Sequence, residues 1–325
     1  MRVVLHIGLP KCASSSIQYA FVSDRKALRR AGVRYPKTGR TRRGDPSHLG
    51  FFTVERGEAA RLSARLEREC RGDDTALVST EALTSKARWE EALAVVVESL
   101  NERFGADRVD VLLLVRNHVD YAESCFAQFV RSGVLGVDKG RFYQRYEPTI
   151  HGFSEAYRDR WGHPFFSYSD IIRRTEACLG ANQLEVMSIE RRDLDAADIA
   201  SALATRLGVD ALGAVAPQNQ RISAAQILAL TLAQSRYGHR RYAQRRQELL
   251  RATEGIDAPG RSSRIHVAGA LAREIVAAQE ADRTTLVARR GRFDAVLEPR
   301  GEPQDLASDA AVLDRLEAIV AQVLG

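Results

Sequence analysis

The chain holds little that would place it in a specialised class. Its four cysteines, Cys12, Cys70, Cys125 and Cys178, lie far apart with no C-x-x-C pair. Neither a disulfide framework nor a zinc site is indicated, so reduced and mostly buried thiols are expected. No apolar run approaches the ~20 residues needed to span a bilayer, and no charged leader with a cleavage site precedes the first apolar segment. A cytoplasmic protein without a transmembrane segment is the expectation. The formal charge of +6 comes without a lysine-rich tail or a basic-aromatic repeat. That balance suits an anionic ligand and argues against nucleic acid as a partner. The histidines carry no metal-ligand spacing, and no metal is expected.

Also missing is the nucleotide triphosphatase loop G-x-x-x-x-G-K-[ST], in which lysine directly precedes the hydroxyl residue. What stands near the start is Val3-Val4-Leu5-His6-Ile7-Gly8-Leu9-Pro10-Lys11-Cys12-Ala13-Ser14-Ser15-Ser16-Ile17-Gln18. An apolar strand runs into a Gly/Pro turn, then a lysine, three serines and a helical segment. Backbone N–H groups of such a turn, a helix N-terminus and a lysine together cradle a phosphate-like anion. Lys11 comes three residues after Gly8, and two residues separate it from the first serine, with Ala13 where a second glycine is expected. The order is that of a phosphate loop, but not one built for ATP and magnesium.

With 45% hydrophobic and 28% charged residues in 325, the chain can bury one large core or a core with an extension. Apolar runs at Val3–Ile7, Ala76–Ser79, Val109–Val115 and Leu184–Ile189, with a weaker one at Val33–Tyr35, read as strands. Helical periodicity fills Ser15–Arg30, Glu58–Cys70, Arg88–Phe104 and Tyr121–Ser132. This alternation predicts βαβ units and an α/β fold, a central parallel sheet covered on both faces. From about Ser223 the chain turns to long Ala/Arg/Gln-rich helical stretches, interrupted at Thr253–Ser263 and ending in a helix near Ser308–Leu324. Residues 1–215 are therefore expected to form the core, and 216–325 a helical C-terminal extension packed on it.

Ligands of parallel sheets bind at the carboxyl ends of the strands. Glu81, just past Ala76–Ser79, reads either as a general base or as a solvated loop carboxylate. Arg116 leaves the next strand on the same edge, and Ser124 falls in the first turns of the following helix. Together they suit a second phosphate; the plainer alternative is an Arg116–Asp120 salt bridge and an ordinary helix serine. His48, in Pro46-Ser47-His48-Leu49, could take a proton near neutral pH or simply lie at the surface. Cys12 sits where a positive local field would favour its thiolate.

Taken together these residues resemble the sulfotransferases that use 3′-phosphoadenosine 5′-phosphosulfate (PAPS), especially their bacterial carbohydrate-type branch. His6-Ile7-Gly8-Leu9-Pro10-Lys11-Cys12-Ala13-Ser14-Ser15-Ser16-Ile17-Gln18 is similar to that family's 5′-phosphosulfate loop, H-I-G-x-x-K-T-G-T-T-S-[IL]-Q. Arg116 and Ser124, eight positions apart, match its 3′-phosphate pair, Ser79-Thr80-Glu81 its strand-end S-S-E, and His48 a histidine before an apolar helix. The likeness runs over about residues 1–210. It implies the P-loop NTPase-like three-layer sulfotransferase fold, PAPS as cofactor with 3′,5′-ADP as product, and a hydroxyl-bearing, carbohydrate acceptor. The implied cofactor-binding residues are Lys11, Cys12, Ala13, Ser14, Ser15, Ser16, Arg116 and Ser124; the catalytic ones are Lys11 with Glu81 or His48. Cys12 and Ala13 depart from the motif: one hydroxyl donor is lost, and the turn must avoid positive φ or accept strain. Two other classes fit the residues less well. A P-loop kinase is opposed by the missing GK[ST] order and strand-end Asp, and a non-catalytic nucleotide-binding protein would explain Cys12-Ala13. Arg289-Arg290-Gly291, a loose echo of an Arg-Lys-Gly signature, reads as a helix end.

Overall fold

The computed structural model describes the chain except residues 42–44, 82, 86–87, 181–183, 211, 214–221, 257–268 and 301–309, and gives Glu81, Ser85 and Gly269 by backbone alone. Five strands, β1 (Arg2–Gly8), β2 (Val33–Arg34), β3 (Thr75–Glu81), β4 (Val109–Val115) and β5 (Leu184–Ser188), form one sheet in the order β2-β3-β1-β4-β5. Every pair is parallel. The fold is α/β, as the alternation of apolar runs and helical segments predicts. Val3, Val4, Leu5, His6 and Ile7 are all buried. Because successive strand residues face opposite sides, both faces of β1 are covered.

The chain separates into two compact units. The first comprises Met1–Asn117, Tyr168–Asn219 and Gln279–Glu298. It contains the sheet and the helices α1 (Ser14–Ser23), α2 (Arg25–Arg30), α3 (Arg56–Glu69) and α4 (Trp89–Phe104). The expected single helix over Ser15–Arg30 is broken at Asp24, whose backbone leaves helical geometry and whose carboxylate accepts from the Ala27 N–H at 3.1 Å. A short polar side chain that can cap a new helix competes with continuation of the old one. Helix α4 packs on β1 and β4 and against α3, while α1 packs on β3.

The second unit comprises His118–Ser167, Gln220–Ala278 and Pro299–Gly325. It begins with α5 (His118–Ser132), α6 (Lys139–Arg145) and α7 (Ile150–Trp161); α8 (Tyr168–Glu176) and α9 (Ile199–Arg206) return to the first unit. The C-terminal region is helical, as expected: α10 (Ala224–Ala252), α11 (Gly269–Val287) and α12 (Ala310–Leu324). Compactness does not follow one cut near residue 215. The second unit also takes α5 to α7, and Gln279–Glu298 belongs with the sheet. The second unit has its own aromatic core, in which Phe129 lies 4.8 Å from both Phe142 and Phe153, ring centre to ring centre. The C-terminal end of α5 is held there: the Val130 carbonyl accepts from Lys139 Nζ at 2.7 Å, Gln234 Nε2 at 2.9 Å and the Tyr242 hydroxyl at 3.2 Å. Among the described residues no helix is long and apolar enough to cross a membrane.

Candidate functional site

The sheet brings the ends of β1, β3 and β4 to one edge. Gly8, the last residue of β1, is in register with Glu81, the last of β3. Paired strands lie about 4.8 Å apart, which places the Glu81 backbone beside the start of the loop. Its side chain lies outside the described residues. Between Gly8 and α1 the backbone is left-handed twice, at Lys11 (φ 67°) and Ala13 (φ 60°). The turn thus accepts strain at Ala13. A Cβ disfavours this region by about 1–2 kcal/mol. The Cys12 N–H donates to the Leu9 carbonyl at 3.2 Å, closing the turn, and the Cys12 side chain is fully buried.

The three serines are not equivalent. Ser14 is 2% exposed, and its Oγ has no hydrogen-bond partner among the described residues. It lies over Gly8, where an added Cβ would stand 2.0 Å from that oxygen and 2.9 Å from the Thr80 carbonyl. Gly8 is therefore required by close approach. Ser15 is half-buried and Ser16 exposed. They open α1, whose first-turn N–H groups have no carbonyl within the helix to bond. Below the loop, His6 Nδ1 shares a hydrogen bond with Ser79 Oγ at 2.8 Å, and Gln18 Nε2 donates to the same hydroxyl at 3.3 Å. Burial lowers His6 to about 3, so its imidazole is neutral. This underpinning was not singled out in the sequence, although His6 and Gln18 bracket the loop.

Arg116 follows β4 directly. Its Nη1 donates to the Lys11 carbonyl at 3.4 Å, which brings the guanidinium against the loop. Its backbone is fixed by one phenol: the buried Tyr168 hydroxyl accepts from the Arg116 N–H at 3.3 Å and donates to the Arg116 carbonyl at 2.6 Å. Glu190 Oε1 accepts from the Asn117 N–H at 2.9 Å and lies 3.9 Å from Arg116 Nε. Asn117 Nδ2 shares its two N–H bonds among the carbonyls of Ala295, Val296 and Glu298, at 3.1, 3.2 and 2.9 Å. Tyr168 and the 295–298 segment are remote in sequence and gave no signal there. The alternative partner of Arg116, Asp120, is bonded to Arg300 at 3.0 Å. Ser124 is the seventh residue of α5 and belongs to the second unit. Arg289, of the loose Arg-Arg-Gly echo, lies past the end of α11 and pairs with Glu176 at 2.6 Å.

His48 lies neither at the surface nor in an open pocket. Its N–H donates to the Ser79 carbonyl at 2.8 Å, and the Ser79 N–H donates to its Nδ1 at 3.1 Å. Nε2, facing the Pro36 carbonyl at 2.8 Å, is then the protonated nitrogen. One residue thus supplies both partners that an edge strand would give β3. Burial, the largest influence, lowers His48 to about 4. Among the described residues no cluster of three His, Cys, Asp or Glu side chains could hold a metal ion.

Two outcomes follow from this geometry. Ala13→Gly, which keeps the left-handed turn without a Cβ, is expected to raise unfolding free energy by about 1 kcal/mol in urea titration; a loss of stability contradicts the strained turn. His48 and His6 are held below their ordinary value, so the unfolded chain binds more protons as pH falls below ~6.5 and stability drops until the folded values are reached. Each contributes about 3 kcal/mol to that loss between pH 6.5 and 4. His48→Asn should lose about 3 kcal/mol less stability than the wild type over that window; an unchanged pH dependence contradicts the neutral, buried assignment.

No family model matches the chain, and no curated protein does. A solved structure of a sulfotransferase from Alicyclobacillus acidocaldarius is similar over 70% of this chain and 90% of that one, at 17% identity and a TM-score of 0.35. The fold rests on the parallel sheet itself, and the site on the residues at its edge.

Proposed function

We propose that the chain transfers a sulfuryl group from PAPS to an acceptor hydroxyl. The observation that supports this most is the pairing of two features at one sheet edge: a lysine-bearing turn into a helix N-terminus, and Arg116 set against that turn. The residues fit an anion in a second respect. Ser14 Oγ is a buried hydroxyl without a partner among the described residues, next to backbone that carries no Cβ. PAPS would supply the activated sulfuryl group. The loop N–H groups, Ser14 and Ser15 would hold its 5′-phosphosulfate. Arg116 would bond its 3′-phosphate, with Ser124 assigned to that phosphate by sequence spacing alone.

In-line displacement needs orientation, charge stabilisation and a proton acceptor. Lys11 offers an ammonium to the oxygen on which negative charge grows as the bond to sulfur breaks. Arg116 reaches the site already oriented, since Tyr168 and Glu190 fix its backbone and its neighbour's. Glu81 is taken as the base that removes the acceptor's proton. Both ring nitrogens of His48 face backbone groups, which favours Glu81 over it. The acceptor is taken to be a carbohydrate hydroxyl on the family resemblance. A P-loop kinase or a non-catalytic binding protein is the alternative, and turnover separates them.

Transfer from labelled PAPS at saturation tests the assignment. Glu81→Gln is expected to lower kcat by about 10²–10⁴-fold, the range for loss of a general base, while His48→Asn keeps kcat within a few-fold at temperatures where it remains folded. Near-normal turnover in Glu81→Gln together with collapse in His48→Asn would reverse the roles. No transfer by the wild-type chain to any glycan or small hydroxyl acceptor would leave the non-catalytic reading standing.

A further inference from the structure

A cleft of about 380 Å³ opens beside the edge strand β2, lined by Arg25 and Arg29 of α2, by Arg34, Tyr35 and Lys37, and by Glu69 at the end of α3. Its volume falls in the ~300–1,000 Å³ range of ligand pockets. The charges along it do not balance. Arg34 is taken by Asp73, Nε to Oδ2 at 2.8 Å. Glu69, the carboxylate of the cleft wall, accepts from the N–H groups of Lys37 and Thr38 at 2.6 and 2.9 Å and from the Thr38 hydroxyl at 2.8 Å. Among the described residues, Arg25, Arg29 and Lys37 have no carboxylate partner. Arg40, outside the cleft lining, stands with its guanidinium 5.0 Å from the Tyr35 ring centre, near enough to be repelled by Arg25 and attracted by Glu69 and Asp45. Arg25 and Arg29, one turn apart on α2 and both lining the cleft, offer guanidinium forks that suit a tetrahedral oxyanion, to which each fork donates two directed bonds.

We propose that this cleft is a second oxyanion site, binding the phosphate or sulfate ester group of a small soluble molecule. It is separate from the loop after β1. Arg34 pairs with Ala76 in the sheet, five residues before Glu81 on β3, or roughly 17 Å along the strand at ~3.4 Å per residue. The proposal does not depend on sulfuryl transfer. A chain with no transferase activity would still present these cations.

The test is calorimetric titration of inorganic pyrophosphate into the full chain carrying Arg116→Ala, which weakens the strand-end site. The same titration is then run with Arg25→Ala and Arg29→Ala added. Both of these side chains are exposed, so the melting temperature is expected to stay unchanged, which verifies that the protein compared is folded. Binding with Kd below ~1 mM in the first chain and at least tenfold weaker in the second is the expected result. Equal binding in the two chains, or none in the first, overturns the site. Phenyl phosphate and phenyl sulfate are then added separately as competitors. Displacement by either identifies the ester class, and displacement by neither overturns the proposal.

Discussion

Within the five residues from Leu9 to Ala13, the chain must leave a strand buried on both faces and start a helix whose inner side is also buried. It does so by holding Lys11 and Ala13 in the left-handed region and by bringing Ser14 down onto the bare Cα of Gly8. Across that reversal Leu9, Cys12 and Ser14 are buried, and Lys11 is half-buried. Ala13 bears a steric cost there, as a residue held in a sparsely populated backbone region does. The candidate site at the sheet edge is built around this turn.

Around it, preorganisation comes from polar groups with fixed partners. Tyr168 occupies both backbone groups of Arg116, Glu190 takes the next N–H, and Asn117 gathers three carbonyls of the 295–298 segment. Each of these side chains would be costly in the interior if left without partners. With partners, they hold one arginine in one place. His48 applies the same principle at the other side of the edge. It is buried as a neutral ring because it stands in for the strand that β2, only two residues long, does not provide.

Much of this was legible in the chain itself. The run Val109–Val115 reads as a strand from its apolar residues, with Leu112–Val115 apolar without alternation, and it is a strand over those same residues. Loop residues 8–16 could be recognised because glycine, lysine and serines occur there in an order with a chemical meaning. Ala13 was identifiable as the weak point, though only the backbone could tell whether it avoids positive φ or accepts it. Less visible was anything made by distant residues. The burial of His48 depends on Ser79 and Pro36, and the anchoring of Arg116 on Tyr168, 52 positions away. The division into units hid for a related reason. The boundary at His118 falls between a strand and a helix with no Gly/Pro linker, and Gln279–Glu298 rejoins the sheet from within a helical stretch.

The central claim is that the edge of this sheet binds a nucleotide carrying phosphates at both ends of its ribose. Calorimetric comparison of 3′,5′-ADP with 5′-AMP on the wild-type chain tests it most directly. The account predicts that 3′,5′-ADP binds at least tenfold more tightly, a difference of about 1.4 kcal/mol or more, and that Arg116→Ala removes most of that preference. Equal affinity for the two nucleotides, or no binding of 3′,5′-ADP, would contradict it.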